Sequence, residues 1–376
     1  MTAIRARRFD LSYWWMSLDR PILGAVLILA AAGLVLSLAA SPAVARTHGF
    51  GEYHFVIRQI VFLLPSLALI VALTLLDVAQ VRRAAIALLG LAAFGLALCP
   101  AIGPEVNGAQ RWLSFGALSL QPSEFMKPAF VVAAAALIAR GHEHPRFPGL
   151  CLAFLVYLAL LALLLAQPDF GQAVLLTLAW ATLFFLAGTP IGWSLALAGA
   201  AGFGALGAYV ALPHVASRID RFLDPASGDT FQVDQSLRAF MHGGFAGQGP
   251  GEGAVKDVLP DAHTDFVFAV AGEEFGLFAC LAITALFAVV VLRGLERALA
   301  AREVFVQLSV AGLVVLFGGQ ALINMGVNLR LLPAKGMTLP FISYGGSSLL
   351  ALAVTVGFIL ALTRRRAAAP FEGEGP

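Results

Sequence analysis

The sequence predicts an all-α, polytopic integral membrane protein of about ten transmembrane helices with one large extracytoplasmic loop. Composition is the first reason: 12% of the 376 residues are charged and 60% are hydrophobic, whereas soluble domains carry about 25% charged residues. Mean hydropathy is correspondingly high, at +0.87. The third reason is that apolar stretches long enough to cross a bilayer recur along the whole chain. A net charge of +2, with no basic run interleaved with aromatics, argues against nucleic acid as a partner. Cys99, Cys151 and Cys280 lie in apolar runs without CxxC spacing and read as core thiols.

The elements follow in chain order. Segment 1–21 carries Arg5, Arg7 and Arg8 and reads as a cytoplasmic N-terminal segment. The first span, 22–41, exceeds the roughly 7–15 apolar residues of a signal peptide, so it reads as an uncleaved helix. Spans at 55–76, 84–103, 122–139, 148–166, 172–187 and 193–213 come next. The 214–266 loop separates them from spans at 267–292, 304–326 and 341–363, and 364–376 is a tail. The membrane domain thus covers 22–363. Lys and Arg are densest in 1–21, 77–83, 140–147, 293–303 and 364–376. That bias puts both termini in the cytoplasm and the 214–266 loop outside.

Within the long loop, Val233, Leu237, Phe240 and Met241 recur at near-helical spacing between Phe231 and His242. They predict a short amphipathic helix lying on the membrane surface. Gly243, Gly244, Gly247, Gly249, Gly251 and Gly253 follow. No GK[ST] accompanies them, so a hinge is the better reading than a nucleotide loop.

Four polar clusters lie on the outward side. Leu259-Pro260-Asp261-Ala262-His263-Thr264-Asp265-Phe266 precedes a span that carries Glu273 and Glu274, and Lys256 is nearby. A carboxylate at a membrane boundary is costly to desolvate, so Asp265 reads as a catalytic centre, with a helix N-cap as the competing role. Glu273 and Glu274 should face a protein interior or a water-filled cavity. The second cluster holds Asn107, Arg111 and Trp112, then Pro122, Glu124 and Lys127. Glu124 and Lys127 are three apart on one helix face and suit an ion pair, while the Arg111 fork suits a phosphate or carboxylate. Trp112 reads as an interfacial anchor. The third is Gln167-Pro168-Asp169-Phe170-Gly171, where Asp169 is either a cap or part of a polar cavity. The fourth holds Asn324, Arg330, Lys335, Gly336 and Ser343 with a run of small residues. A carboxylate base among cations suits transfer of a group away from a phosphate leaving group.

Six ordered strings carry a family resemblance: NGAQRW, QPSEFMK, QPDFG, QSLRAFMHGG, LPDAHTDFVFAVAGEEFG and LPAKGMTLPFISYGGSS. They resemble the SEDS family (shape, elongation, division and sporulation), over nearly the whole chain from the first span to Leu362. Lys335 before Gly336 and the PDAHTDF form look more like its division members than its elongation members. The resemblance implies a ten-helix polymerase that joins lipid II into peptidoglycan glycan strands outside the cytoplasmic membrane, at the division septum. Asp265 stands where the family carries its essential aspartate. The implied reaction is inverting, with Asp265 as general base and undecaprenyl diphosphate as leaving group. Arg111, Lys127 and Lys335 are the residues expected to hold diphosphate charge or position Asp265. A divalent cation (Mg or Mn) on the diphosphate is compatible with this, although no dedicated metal cage is spelled out. Implied partners are the nascent glycan strand, a monofunctional class B penicillin-binding transpeptidase and other divisome proteins.

The chain departs from the family pattern at Pro250, where an apolar residue is usual, and in lacking an aromatic just before Leu259-Pro260. Both bear on loop conformation more than on chemistry. Two rival readings remain, a lipid II flippase and a non-enzymatic divisome scaffold. Alternating access calls for charged groups at mid-span or on both faces, whereas here they crowd the outward one.

Overall fold

The computed structural model describes residues 11–47, 49–106, 108–116, 118–224 and 230–364. Asn107, the first ten residues of the N-terminal segment and nearly all of the 364–376 tail lie outside the described residues. The helices are α1 (Leu11–Ser17), α2 (Arg20–Thr47), α3 (His54–Thr74), α4 (Val78–Ile102), α5 (Pro122–Glu143), α6 (Gly149–Ala166) and α7 (Phe170–Leu186). After them come α8 (Ile191–Ala211), α9 (Pro213–Leu223), α10 (Phe231–Gly243), α11 (Val267–Leu299), α12 (Val304–Asn328) and α13 (Gly346–Thr363). Among the described residues, nine helices are long and apolar enough to span a membrane. The apolar helix α7 has 17 residues, which gives roughly 26 Å of rise against a hydrocarbon core of about 30 Å. Together these match the ten spans read from the sequence.

Helices α5, α12 and α13 are the most buried and form the centre of the bundle. Their neighbours are α3, α4, α7 and α11, with α2 packed on α11 and α3. No residue of α8 is buried, so this helix stands at the periphery. α4 starts at Val78, earlier than hydropathy alone marks, because Asp77 and Gln80 form a reciprocal capping box.

Three features depart from the sequence reading. A two-stranded hairpin, β1 (Leu113–Phe115) with β2 (Leu118–Leu120), joins α4 to α5. The stretch 341–345 is not helical: Met337, Leu339, Phe341, Ile342 and Ser343 are buried in a re-entrant loop. A methyl on Gly33, midway along α2, would fall 2.5 Å from the Phe341 carbonyl oxygen. Irregular backbone at this depth is tolerated because protein groups satisfy it: Gln59 donates to the Ile342 carbonyl and Gln320 to that of Thr338. Third, α10 forms as expected, but its most buried face is made of small and polar residues rather than the Val233–Met241 apolar stripe. Gln235, Ser236, Ala239 and Gly243 are its buried positions, packed on α11, and Met241 is exposed. Small residues allow that close approach; a methyl on Gly243 would lie 1.9 Å from the Gly272 carbonyl oxygen.

Candidate functional site

Four chain segments meet at one end of the bundle: the β-hairpin region, the α6–α7 turn, the residues before α11 and the re-entrant loop after α12. Asp265 is the residue before Phe266, which occupies the N-cap position of α11 without a side-chain capping bond. Asp265 therefore does not cap the helix. Its amide donates to the Asp261 carbonyl at 3.0 Å, which closes a tight turn in which Asp261 has φ 54°. The half-buried Asp265 carboxylate accepts no hydrogen bond from another described residue. It faces Gly336, where an added methyl would come 2.6 Å from Oδ2. Burial, then the nearby charge of Asp261, push its pKa up to about 6, against the opposing pull of Lys335.

Lys335 bridges outward from this point. Its Nζ lies 2.9 Å from Asp169 Oδ1, and its aliphatic stem runs across Gly171, where a methyl would collide at 2.1 Å. Burial pulls the Lys335 pKa down, and the Asp169 carboxylate opposes that shift. Asp169 holds the N-cap position of α7, yet its side chain makes no cap. It pairs with Lys335 and accepts from Gln121 Nε2 at 3.3 Å instead. Arg111 fixes the turn carrying Asp169: Nε donates to the Gln167 carbonyl at 3.0 Å and Nη2 to that of Pro168 at 2.7 Å. Arg218 of α9 adds a further positive charge within electrostatic reach of Arg111, Lys335 and Asp169.

The remaining sequence candidates make structural contacts, some of them beside the Asp265 turn and others deeper in the bundle. Lys127 is expected to meet diphosphate or position Asp265; its ammonium is instead enclosed in the bundle, 2.9 Å from Glu124 Oε2 and 3.2 Å from Gln320 Oε1. Glu124 also accepts from Gln172 at 2.6 Å. Glu273 and Glu274 face protein rather than a water-filled cavity. Glu273 accepts from the amides of Val255 and Lys256 at 2.8 Å and from His242 at 2.9 Å. Glu274 accepts from the Gly251 amide at 2.8 Å and pairs with the Lys256 ammonium. Lys256 is thus a buried structural cation. The His263 ring packs between Phe55, at 4.3 Å, and Tyr344, at 5.5 Å. Ser343 donates to the Thr264 carbonyl and accepts from the Leu339 amide, which ties the re-entrant loop to the Asp265 turn.

These contacts revise the glycine-rich segment from a free hinge to a splint. α11 is broken at Gly276 (φ 76°), where the kink frees backbone groups. Gln248 and Gly249 donate to the carbonyls of Glu273 and Glu274, and Leu277 donates to that of Gly244. Pro250 suits its place: Glu252 donates to the Gly249 carbonyl at 3.1 Å across a turn whose third residue, Gly251, has φ 88°. Pro followed by a left-handed Gly is what a type II turn requires.

Gln320 and Asn328 were not among the sequence candidates and Asn324 stood only as a member of the fourth cluster, yet all three are buried beside the site. Their signal was an amide every fourth residue inside an apolar span. Among the described residues, no three His, Cys, Asp or Glu side chains converge to hold a metal.

Residues 20–368 match the cell cycle protein model of the FtsW, RodA and SpoVE family. The chain is 46% identical over 364 residues to a probable peptidoglycan glycosyltransferase FtsW of Caulobacter vibrioides, covering 96% of this chain and 93% of that protein. It is 38% identical to the protein of the same name from Pseudomonas fluorescens, over 92% of this chain and 88% of that one. Among solved structures it resembles a chain from a peptidoglycan synthase complex that coordinates polymerization and crosslinking, with TM-score 0.77 and 28% identity over 93% of this chain and 98% of that chain. The rod shape determining protein RodA of Thermus thermophilus is similar at TM-score 0.69 and 28% identity, covering 94% and 99%.

Proposed function

The chain belongs to the FtsW, RodA and SpoVE cell cycle protein family, and from that premise we propose that it is a peptidoglycan glycosyltransferase that polymerises lipid II during division. The observation that carries the mechanism is the unpartnered, half-buried Asp265 carboxylate set against Gly336 and beside Lys335. A general base works best with a pKa near the operating pH, and this one is pushed up to about 6. Asp265 takes the proton from the acceptor sugar's 4-hydroxyl as that oxygen attacks the anomeric carbon of the growing, lipid-linked strand. The bond to undecaprenyl diphosphate breaks, with inversion. Lys335, flanked by Arg111 and Arg218, supplies positive charge for the departing diphosphate.

Asp265 then faces the extracytoplasmic side, with both termini cytoplasmic, as the distribution of Lys and Arg favours. The relative found in a synthase complex supports pairing with a separate crosslinking enzyme, a class B penicillin-binding transpeptidase.

The test is glycan synthesis from lipid II by purified wild type and Asp265→Asn, each with its cognate transpeptidase and with and without chelator. Asp265→Asn should lose about 10²–10⁴-fold in rate. A wild-type rate in that variant would overturn the reading. Intact polymerisation with lost translocation of lipid II across vesicles would point to a flippase instead.

A further inference from the structure

Three amides stand on one face of α12 at successive four-residue intervals, and each joins a different part of the site. Gln320, deepest in the bundle, accepts from Lys127 and donates to the Thr338 carbonyl and hydroxyl at 3.0 and 3.1 Å. One turn nearer the site, Asn324 Nδ2 donates to two carbonyls at once, that of Asp265 at 2.9 Å and that of Met337 at 2.6 Å. At the end of the helix Asn328 Nδ2 donates to the same Asp265 carbonyl at 2.9 Å, and its Oδ1 accepts from the Ala269 amide at 3.1 Å. The Asn328 carbonyl in turn accepts from Ser236 of α10 at 2.8 Å. All three side chains are at most 2% exposed.

The arrangement has a consequence for geometry. The Asp265 main chain and the Lys335–Thr338 segment come from distant parts of the sequence, and neither is helical. Asn324 clamps both through one amide group, while Gln320 holds the second segment one residue further along, at Thr338. A rigid helix therefore sets the spacing between the carboxylate and the lysine beside it. We propose that Gln320, Asn324 and Asn328 are positioning residues: a polar stripe on α12 that holds Asp265 in register with Lys335 and Gly336 for the transfer reaction. This rests on the functional reading above. The stripe touches no substrate and acts through the Asp265 backbone.

A mere packing role would lower thermal stability and leave turnover alone. A positioning role changes kcat more than KM, because displacing a reacting group by about 1 Å can cost on the order of 100-fold in rate. The measurement is steady-state polymerisation of lipid II by the purified full chain with its transpeptidase partner, for wild type, Asn324→Leu, Asn328→Leu and Gln320→Met. Thermal melting is followed in parallel. Asn324→Leu should lower kcat by roughly 10- to 100-fold with KM nearly unchanged, and Asn328→Leu by about 10-fold. The acid limb of the rate profile should move in both, since Asp265 would shift relative to Asp261 and Lys335 and, through the latter, to Asp169, Arg111 and Arg218. Wild-type kcat and an unmoved acid limb in the asparagine variants, with only the melting temperature reduced, would overturn the proposal. Should Asn324→Leu fail to fold, Asn328→Leu, which leaves the Asn324 clamp intact, decides by the same two readouts. Asp265→Asn run alongside separates the failures. An active Asp265→Asn removes the functional reading, whereas an inactive one beside fully active asparagine variants removes only the stripe.

Discussion

Asp265 and the Glu273–Glu274 pair lie within one short stretch of chain, around the start of the same helix, yet the structure treats them in opposite ways. The two glutamates are fully enclosed and answered by the Val255, Lys256 and Gly251 amides, His242 and the Lys256 ammonium. Asp265 is half-buried, and its carboxylate has no such answer among the described residues. Buried charges are ordinarily paired, because an isolated one is costly. Where the protein satisfies a carboxylate it is building structure; where it leaves one desolvated and open, the unmet bonding capacity is available to a ligand.

The comparison breaks most sharply in rate. Asp265→Asn should remove about 10²–10⁴-fold of glycan synthesis, while Glu273→Gln, which keeps shape and one of the two acceptor oxygens, should retain most of it. Equal losses in the two would erase the contrast.

In stability the order reverses. Glu274→Ala leaves the Lys256 ammonium buried and uncompensated, so unfolding in detergent should become easier by about 3–5 kcal/mol. Pairing it with Lys256→Met should recover much of that loss. Asp265→Asn should do the opposite and stabilise the fold, by up to about 3 kcal/mol near neutral pH, because the native state holds this carboxyl at about 6 rather than 3.8. A carboxyl raised in this way stabilises the fold below its unfolded pKa, and that contribution is lost as pH climbs from about 4 through about 6. On the proposed mechanism activity runs the other way, since a general base must be ionised. The rate should rise with pH and reach half its plateau near 6, and Asp265→Asn should abolish both trends. A thermal melt and a rate profile over the same pH range check the pair.

The smallest effect tests the close approach itself. Gly336→Ala would place a methyl 2.6 Å from Asp265 Oδ2. The carboxylate can swing aside at little cost to folding, so the melting temperature should hold while the rate drops about 10-fold. An unchanged rate would mean that the position of the carboxylate is not critical.

Much of this was legible in the chain. Ten apolar stretches marked the spans, and an acidic residue beside aromatics at a span boundary singled out Asp265. Lys335 stood out as a cation on a face where cations are scarce. Other readings failed for one reason: hydropathy reports what a segment avoids, and not which group it meets. Lys127 and Lys335 are both lysines in outward clusters, but one is spent inside the bundle on Glu124 and Gln320 and the other lies beside Asp265. The glycines of 243–253 read as freedom, and they are instead where backbone presses on backbone across the break in α11.

The sequence by itself determined the bilayer as solvent, the number of crossings and the residue types able to do acid–base work beside a phosphate. These follow from burial energies and side-chain chemistry, which are properties of each residue and its near neighbours. Tertiary structure alone decided that 341–345 turns back into the bundle, that Asp169 finds Lys335 across the fold and that α12 carries the amides gripping the Asp265 turn. Those outcomes depend on packing between segments far apart in the chain, where directional hydrogen bonds choose one partner among several chemically equivalent groups.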